Sequence, residues 1–401
     1  MRKHRVDVLL VVLVIAMLAI SLLTIYAIGP RVALAEGKPE NTYFIGHLRS
    51  IVVAAVALTV GASLIWRGKI GQFLADNREK IAKYVLLVVI LLNVYVALGR
   101  FGAPLVQCEL GACRWLNVGI SLQPSELLKV AVLFYVPWLI QSRKEQGTYG
   151  EKEFWVPFAT LAMISLFVVG FLQKDLGNTV VIIFMMAVMV FVAGISWKQF
   201  GIILLCLAIA GLALVGISGD SSGNHREERL NSWLNGSYHS GNALMSFGTG
   251  GLTGVGIGNS VSSTGYLPEA ISDSIFPIIG EIWGYFGAML VLVAYVLMLL
   301  HIEAVAHRTE DLADRMMVLG VFAWILAHVI MHVGGMTGLI PMKGTTLPFL
   351  SYGGSSLMCV AFAYGMVLQK SCWTKRGTID EDTSSRGRQW RSRYTSNRRR
   401  T

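Results

Sequence analysis

The sequence predicts an all-α, polytopic integral membrane protein, because its composition is too apolar for a soluble fold. Hydrophobic residues make up 54% of the 401 residues and charged residues only 14%, whereas a soluble domain carries about 25% charged residues. The mean hydropathy is +0.59. A soluble chain of this length could not bury so much apolar surface. The composition therefore excludes a cytosolic enzyme, a nucleic-acid-binding domain and a disordered protein.

Ten long apolar segments predict ten transmembrane helices. Each is close to the ~20 residues that an α-helix needs to cross the hydrocarbon core of a bilayer. Backbone polar groups in lipid must be hydrogen-bonded within the segment, so we expect each segment to be helical. We call these segments spans 1 to 10. They cover residues 7–28, 45–66, 83–99, 124–141, 155–172, 177–196, 198–217, 275–300, 314–335 and 349–369.

The distribution of basic residues predicts that both termini are cytoplasmic. With that orientation, 24 of the 34 Lys and Arg residues lie in cytoplasmic segments and 8 in outer segments, in agreement with the positive-inside rule. We divide the chain into a transmembrane domain, residues 1–370, and a basic tail, residues 371–401. The tail is expected to be disordered and to lie near anionic inner-leaflet lipids. Because the tail supplies much of the net charge of +10, this charge does not indicate a nucleic-acid partner.

The longest connection, about residues 218–274 between spans 7 and 8, is expected to be a long extracellular loop. Loops of this length without clear secondary structure tend to be functional. Its second half contains a glycine-rich run, residues 248–260. The run lacks the Gly-Lys-Ser/Thr ending of a nucleotide phosphate loop. Its glycines are expected to let the backbone turn tightly or approach a ligand closely.

Polar residues gather at the starts of spans 4, 6, 8 and 10, which begin at the predicted outer face. Each start has unpaired backbone N–H groups and the positive end of a helix dipole, so four converging starts would favour an anion such as a phosphate. The alternative is that the side chains there are ordinary N-caps. The residues open to both interpretations are Ser125, Asp175, Asp273 and Ser351, and we favour capping for the two serines.

Ionisable residues within spans are costly in lipid and are therefore functional candidates. Glu126 and Lys129 are i,i+3 neighbours on span 4 and can pair, either as a structural ion pair or with a direct role. Glu281 lies two turns into span 8 and is expected to face the bundle interior. Cys108 and Cys113 share one short outer loop, which predicts a disulfide, with two free thiols as the alternative. No Cys/His spacing indicates a zinc site.

Several motifs are spread along most of the chain. They are 113–119 (CRWLNVG), 123–126 with Lys129, 173–179 (QKDLGNT), 256–260, 266–270 with Asp273, 338–341, 347–348 and 351–356 (SYGGSS). Together they resemble the SEDS family (shape, elongation, division and sporulation), which includes FtsW and RodA. The motif at 266–270 (YLPEA) and the one at 279–281 (IGE) are more similar to the division branch than to the elongation branch. The departures from the usual pattern include Ile271 and His332, where the family usually has His and Asn.

The resemblance implies a peptidoglycan glycosyltransferase that polymerises lipid II at the outer face of the cytoplasmic membrane during cell division. Asp273 is then the candidate general base, because the attacking sugar hydroxyl must lose a proton. The pyrophosphate leaving group needs cationic or N–H stabilisation, from Lys343, Arg226, Arg229 or a divalent Mg or Mn ion, with no covalently bound cofactor. Further candidates for contact with the sugar or pyrophosphate are Ser125, Glu126, Lys129, Asp175, Glu269, Ser351, Gly353, Gly354 and Ser355.

The resemblance also implies a class B penicillin-binding protein transpeptidase and other divisome proteins as partners. Three alternatives remain at this point. One is a lipid II translocase, with Glu126, Lys129 and Glu281 lining a path. Another is a RodA-type elongation polymerase, and the third is a non-catalytic scaffold for the transpeptidase. Purified protein supplied with labelled lipid II would distinguish these functions. Chain formation would support a polymerase, leaflet transfer alone a translocase, and the absence of both a scaffold.

Overall fold

The computed structural model describes residues 7–63, 76–109, 112–119, 121–201, 238–262, 267, 269–340 and 344–372. Within these ranges the protein is mostly helical, and we number the α-helices α1 to α10 in chain order. A 3₁₀ turn, Leu98–Phe101, follows α3, and a π-helical segment, Leu166–Leu172, continues α5. The helices are α1 Val8–Ala35, α2 Thr42–Ser63, α3 Arg78–Ala97, α4 Pro124–Glu145, α5 Lys152–Ser165, α6 Leu176–Val192, α7 Tyr238–Gly250, α8 Ile275–Arg308, α9 Leu312–Met336 and α10 Gly354–Ser371.

Helices lie at nine of the ten predicted spans, and most of span 7 falls outside the described residues. Six described helices are long and apolar enough to cross a membrane: α1, α2, α3, α5 with its π-helical continuation, α8 and α9. A further helix, α6, is apolar but shorter. These helices make the chain a multi-pass membrane protein. The number of spans, the side of each terminus and the basic tail stay predictions.

The helix α9 lies at the centre of the bundle and packs against α4, α6 and α8. In its most apolar window 72% of residues are buried, against 17–39% in the other five apolar helices, so α9 contacts protein rather than lipid on most sides. The helices α2 and α10 approach each other closely at Gly61 and Gly365. A Cβ atom on Gly61 would lie 2.3 Å from the Phe362 carbonyl oxygen, and one on Gly365 2.2 Å from that of Leu58.

A small antiparallel sheet precedes α4, and the all-α prediction missed it. It contains β1 Val106–Glu109, β2 Ala112–Asn117 and β3 Ser121–Leu122, in the order β1-β2-β3. Cys108 faces Cys113 across β1 and β2, and the structure joins their sulfurs in a disulfide. The strands are short, so they produce little of the alternating pattern from which a strand is predicted.

The helix α7 lies in the segment where we expected a loop without secondary structure, and that expectation is wrong for Tyr238–Gly250. The segment after α7 packs its backbone directly on α8, which is kinked at Gly284. Both Gly254 and Gly284 have positive φ angles, +85° and +71°, that glycine adopts readily. A Cβ atom on Gly254 would lie 2.2 Å from the Ile282 carbonyl oxygen. The glycines thus permit close backbone contact within the protein.

Candidate functional site

A buried polar cluster surrounds Lys129, which is 0% exposed. Its Nζ atom lies 2.7 Å from Glu126 Oε1, 3.0 Å from Asn178 Oδ1 and 3.0 Å from His328 Nε2. An ammonium group has three N–H donors and no acceptor, so the three contacts use all of its donors and the His328 Nε2 atom must accept. The same Nζ atom lies 4.8 Å from the ring centre of Trp324. The predicted Glu126–Lys129 pair is therefore formed, and helices α4, α6 and α9 enclose it.

Asp175 links α6 to the start of α4. As the N-cap residue of α6, its Oδ1 atom accepts from the Asn178 backbone N–H at 3.1 Å. Its Oδ2 atom accepts from Asn178 Nδ2 at 3.0 Å and from Gln123 Nε2 at 2.9 Å. Asn178 Nδ2 also donates to Ser125 Oγ at 3.0 Å. The capping interpretation of Asp175 thus matches the structure, and the same carboxylate ties two helix starts together.

The capping interpretation is wrong for Ser125 and for Ser351. The N-cap residue of α4 is Gln123, because Pro124 occupies the first helical position, where its fixed φ and missing N–H are tolerated. The N-cap residue of α10 is Gly353, two residues after Ser351. Both serines instead bond to neighbouring elements.

Two histidines of α9 hold the connection between α9 and α10. His328 Nδ1 donates to the Thr346 carbonyl oxygen at 2.8 Å, and His332 Nδ1 donates to that of Thr345 at 2.7 Å. Both side chains are about 1% exposed. Thr346 Oγ1 lies 3.0 Å from Ser356 Oγ in the first turn of α10. The 344–346 segment is therefore fixed between α9 and α10.

Asp273 lies in a tight turn just before α8, and its side chain is half-buried. The backbone N–H groups of Ser272 and Ser274 both donate to the Glu269 carbonyl oxygen, at 3.1 and 3.0 Å. The N-cap residue of α8 is Ser274, so the capping interpretation is wrong for Asp273 as well. Gly344 lies against the Asp273 carboxylate, since a Cβ atom there would be 2.6 Å from Oδ2.

The Asp273 turn is tied to the start of α10 by Ser351 and Tyr352. Ser351 Oγ donates to the Ser272 carbonyl oxygen at 2.6 Å and accepts from the Leu347 N–H at 2.7 Å. The Tyr352 N–H donates to the Ile271 carbonyl oxygen at 2.9 Å. The starts of α8 and α10 therefore meet at the same place.

Glu281 faces the protein interior, as the sequence predicted, but it binds protein backbone. Its side chain is 0% exposed. The carboxylate accepts from Ser260 Oγ at 2.6 Å and from the N–H groups of Val261 and Ser262 at 2.9 and 3.2 Å. The Arg31 guanidinium donates to the Ser260 carbonyl oxygen at 2.6 Å. Glu281 thus anchors the end of the glycine-rich segment on α8.

Three buried polar atoms near these elements, Glu126 Oε2, His332 Nε2 and Ser355 Oγ, have no hydrogen-bond partner among the described residues. Buried polar atoms of this kind are rare in folded proteins, so this end of the bundle retains capacity to bond water or a polar ligand. Within the described ranges, no three His, Cys, Asp or Glu side chains come together as a metal site.

Comparison with known proteins decides the family. The family model for the cell cycle proteins FtsW, RodA and SpoVE matches residues 7–375. The chain belongs to this family. It is 31% identical over 375 residues to a Coxiella burnetii protein named probable peptidoglycan glycosyltransferase FtsW, covering 90% of this chain and 95% of that protein. It is 30% identical over 391 residues to the stage V sporulation protein E of Bacillus subtilis, covering 93% and 99%.

Two solved structures share the fold of this FtsW/RodA/SpoVE family member. One is a chain from a peptidoglycan synthase complex, with a TM-score of 0.70, 23% identity and coverage of 93% of this chain and 99% of that chain. The other is the Thermus thermophilus rod shape determining protein RodA, with a TM-score of 0.63, 23% identity and coverage of 93% and 98%. Both likenesses extend over nearly the whole chain.

The structure brings most of the predicted site residues of this family member into two groups. Ser125, Glu126, Lys129 and Asp175 belong to the buried cluster. The second group, around the Asp273 turn and the start of α10, contains Glu269, Asp273, Ser351, Gly353, Gly354 and Ser355. Arg226, Arg229 and Lys343 lie outside the described residues.

Sequence reasoning missed Asn178 and His328 as partners of Lys129. Asn178 lies within the 173–179 motif, and His328 is an ionisable residue within span 9, which is itself a signal of function.

Proposed function

We propose that the protein is a peptidoglycan glycosyltransferase that polymerises lipid II at the outer face of the bacterial cytoplasmic membrane, with Asp273 as general base. The observation that carries the proposal is the half-buried Asp273 carboxylate at the place where the starts of α8 and α10 meet. The relatives named probable peptidoglycan glycosyltransferase FtsW, aligned over most of both chains, support the reaction class.

The reaction places two demands on the site. The sugar 4-hydroxyl of one substrate attacks C1 of the other, and the Asp273 carboxylate accepts the hydroxyl proton as the new bond forms. The pyrophosphate departs with a developing negative charge that needs N–H donors or cations nearby. The backbone hydrogen bonds that hold the Asp273 turn keep the carboxylate in place.

The start of α10 is suited to the pyrophosphate. Its N-cap residue is Gly353, so no side chain caps the helix, and the N–H groups of the first turn favour an anion. The buried Ser355 hydroxyl lies in the same turn. We assign Lys343, Arg226, Arg229 or a divalent cation to the remaining charge.

The structure does not favour a translocation path through the buried ionisable residues. Glu126, Lys129 and Glu281 are 0–2% exposed, and their bonds run to one another, to neighbouring buried side chains or to the protein backbone. We propose a role in cell division, on the YLPEA and IGE motifs, and a class B penicillin-binding protein transpeptidase as partner, on the family resemblance.

The decisive experiment supplies purified protein in proteoliposomes with labelled lipid II and resolves the products on a gel. We expect glycan chains, and titration with Mg²⁺, Mn²⁺ and a chelator tests the divalent cation. Leaflet transfer without chains would support a translocase instead. The absence of both glycan chains and leaflet transfer would support a scaffold. The matched control for the loss of the Asp273 carboxylate is Glu303→Gln. Glu303 lies near the C-terminal end of α8, far along the helix from the Asp273 turn, and this variant should retain polymerisation.

A further inference from the structure

The connection between α9 and α10 is held by a pair of side chains that the proposed chemistry does not use. His328 and His332 are one helical turn apart on α9, so they lie on the same face of the helix. Their Nδ1 atoms bond to two successive carbonyl oxygens, those of Thr346 and Thr345. Residues 344–347 form neither helix nor strand, so these bonds fix a stretch of backbone that has no regular hydrogen bonding.

The first residue of this stretch reaches the proposed general base. Gly344 is adjacent to Thr345, and its Cα atom packs so tightly on the Asp273 carboxylate that a Cβ atom would lie 2.6 Å from Oδ2. A displacement of Thr345 therefore also displaces Gly344, against which the Asp273 carboxylate packs. A shift of about 1 Å in a reacting group can lower a rate by about 10²-fold.

The other nitrogen of His328 connects this arrangement to the buried ion pair. Because Lys129 Nζ can only donate, its contact of 3.0 Å requires an accepting, unprotonated Nε2 atom on His328. The ring proton must then be on Nδ1, where it donates to Thr346. The Glu126–Lys129 pair thereby sets the tautomer that the Thr346 bond needs.

We propose that His328 and His332 are positioning residues, which hold the 344–346 segment against Asp273 and so orient its carboxylate for proton transfer. The inference rests on the proposed function, in that Asp273 is the group being oriented. Neither histidine contacts the reacting atoms.

The test compares substitutions that keep or remove the Nδ1 donor. His332→Leu removes the donor, and we expect kcat for lipid II polymerisation to fall about 10- to 100-fold with KM little changed. His332→Asn places an amide N–H near the position of Nδ1 and should recover most of the loss. His328→Asn keeps the donor to Thr346 but lacks the acceptor for Lys129, so its kcat should lie between these two. His307→Leu, an exposed histidine near the far end of α8, is the control and should behave as the wild type.

A second measurement does not depend on activity. Hydrogen–deuterium exchange of the peptide covering 344–351 should become faster in His332→Leu than in wild type and His332→Asn, while peptides from α3 stay unchanged. Normal kcat and normal exchange in His332→Leu would overturn the inference. So would a His332→Asn protein as slow as His332→Leu, because the donor would then be irrelevant. If the wild type makes no glycan but exchange rises only in His332→Leu, the proposed function fails and the positioning of 344–346 stands.

Discussion

The Lys129 cluster and the Asp273 turn hold charged groups near the same end of the bundle, but they are built in different ways. Lys129 and Glu126 are 0% and 2% exposed, and side chains from α4, α6 and α9 surround the ammonium. Asp273 is half-buried, and the hydrogen bonds that shape its turn run through the backbone groups of Glu269, Ile271 and Ser272. Removal of a charge should therefore cost stability in the first region and activity in the second.

The largest effect is expected for Asp273→Asn. The amide has nearly the same shape but cannot accept the hydroxyl proton, and loss of general-base assistance lowers rates about 10²- to 10⁴-fold. The turn should persist because its backbone hydrogen bonds remain. We expect lipid II polymerisation to be nearly abolished at an unchanged unfolding temperature. Substantial polymerisation by a well-folded Asp273→Asn protein would exclude the general-base role.

For Lys129→Met we expect a loss of stability, in contrast to the loss of activity expected for Asp273→Asn. The substitution leaves the Glu126 carboxylate buried without its charge partner, which typically costs about 3–5 kcal/mol. A fall in the midpoint of thermal or denaturant-induced unfolding in detergent would measure this loss. The control is Lys83→Met, since Lys83 pairs with Glu79 at 2.6 Å on an exposed face, where a pair contributes about 0–1 kcal/mol. Equal unfolding midpoints for the two variants would contradict the distinction between the regions.

The same two regions show what could be predicted from the sequence. The Glu126–Lys129 pair is local, three residues apart on one helix, and the sequence predicted that it could form. The partners Asn178 and His328 are 49 and 199 residues away from Lys129, so only the packing of α6 and α9 brings them there. The sequence could not place a helix N-cap more closely than about two residues along the chain, because Ser, Asp and Gly all suit a helix start. That is why Ser125 and Ser351 were misassigned.

An intermediate effect is expected when the disulfide is removed by the double substitution Cys108→Ser and Cys113→Ser. Loop-closure entropy for so short a loop is about 2 kcal/mol. Arg114, next to Cys113, donates to the carbonyl oxygens of Gln173 and Lys174 at 3.1 and 2.7 Å, directly before Asp175. Loss of the disulfide should therefore weaken the support of the Lys129 cluster.

The readout for the disulfide is a lower unfolding midpoint with kcat largely retained. Peptide mass spectrometry without reduction should find residues 108 and 113 in one linked peptide. Cys372→Ser, which changes a cysteine outside the hairpin, is the control and should leave the midpoint unchanged. Labelling of both hairpin cysteines by a thiol reagent in unreduced protein would show that the bond does not form.

The smallest effect is expected for Glu281→Gln. This variant distinguishes a carboxylate that only accepts hydrogen bonds from one that acts as a general base. The amide oxygen can still accept from the N–H groups of Val261 and Ser262, and the Ser260 hydroxyl can turn to accept from the new NH₂ group. The net loss should be about 1 kcal/mol. Glu281→Leu removes the hydrogen bonds that hold residues 260–262 on α8, so limited proteolysis of the glycine-rich segment should be faster in that variant alone. The same carboxylate-to-amide change that nearly abolishes activity at Asp273 should thus be tolerated at Glu281. A Glu281→Gln protein that folds normally but makes no glycan would instead place Glu281 in the chemistry.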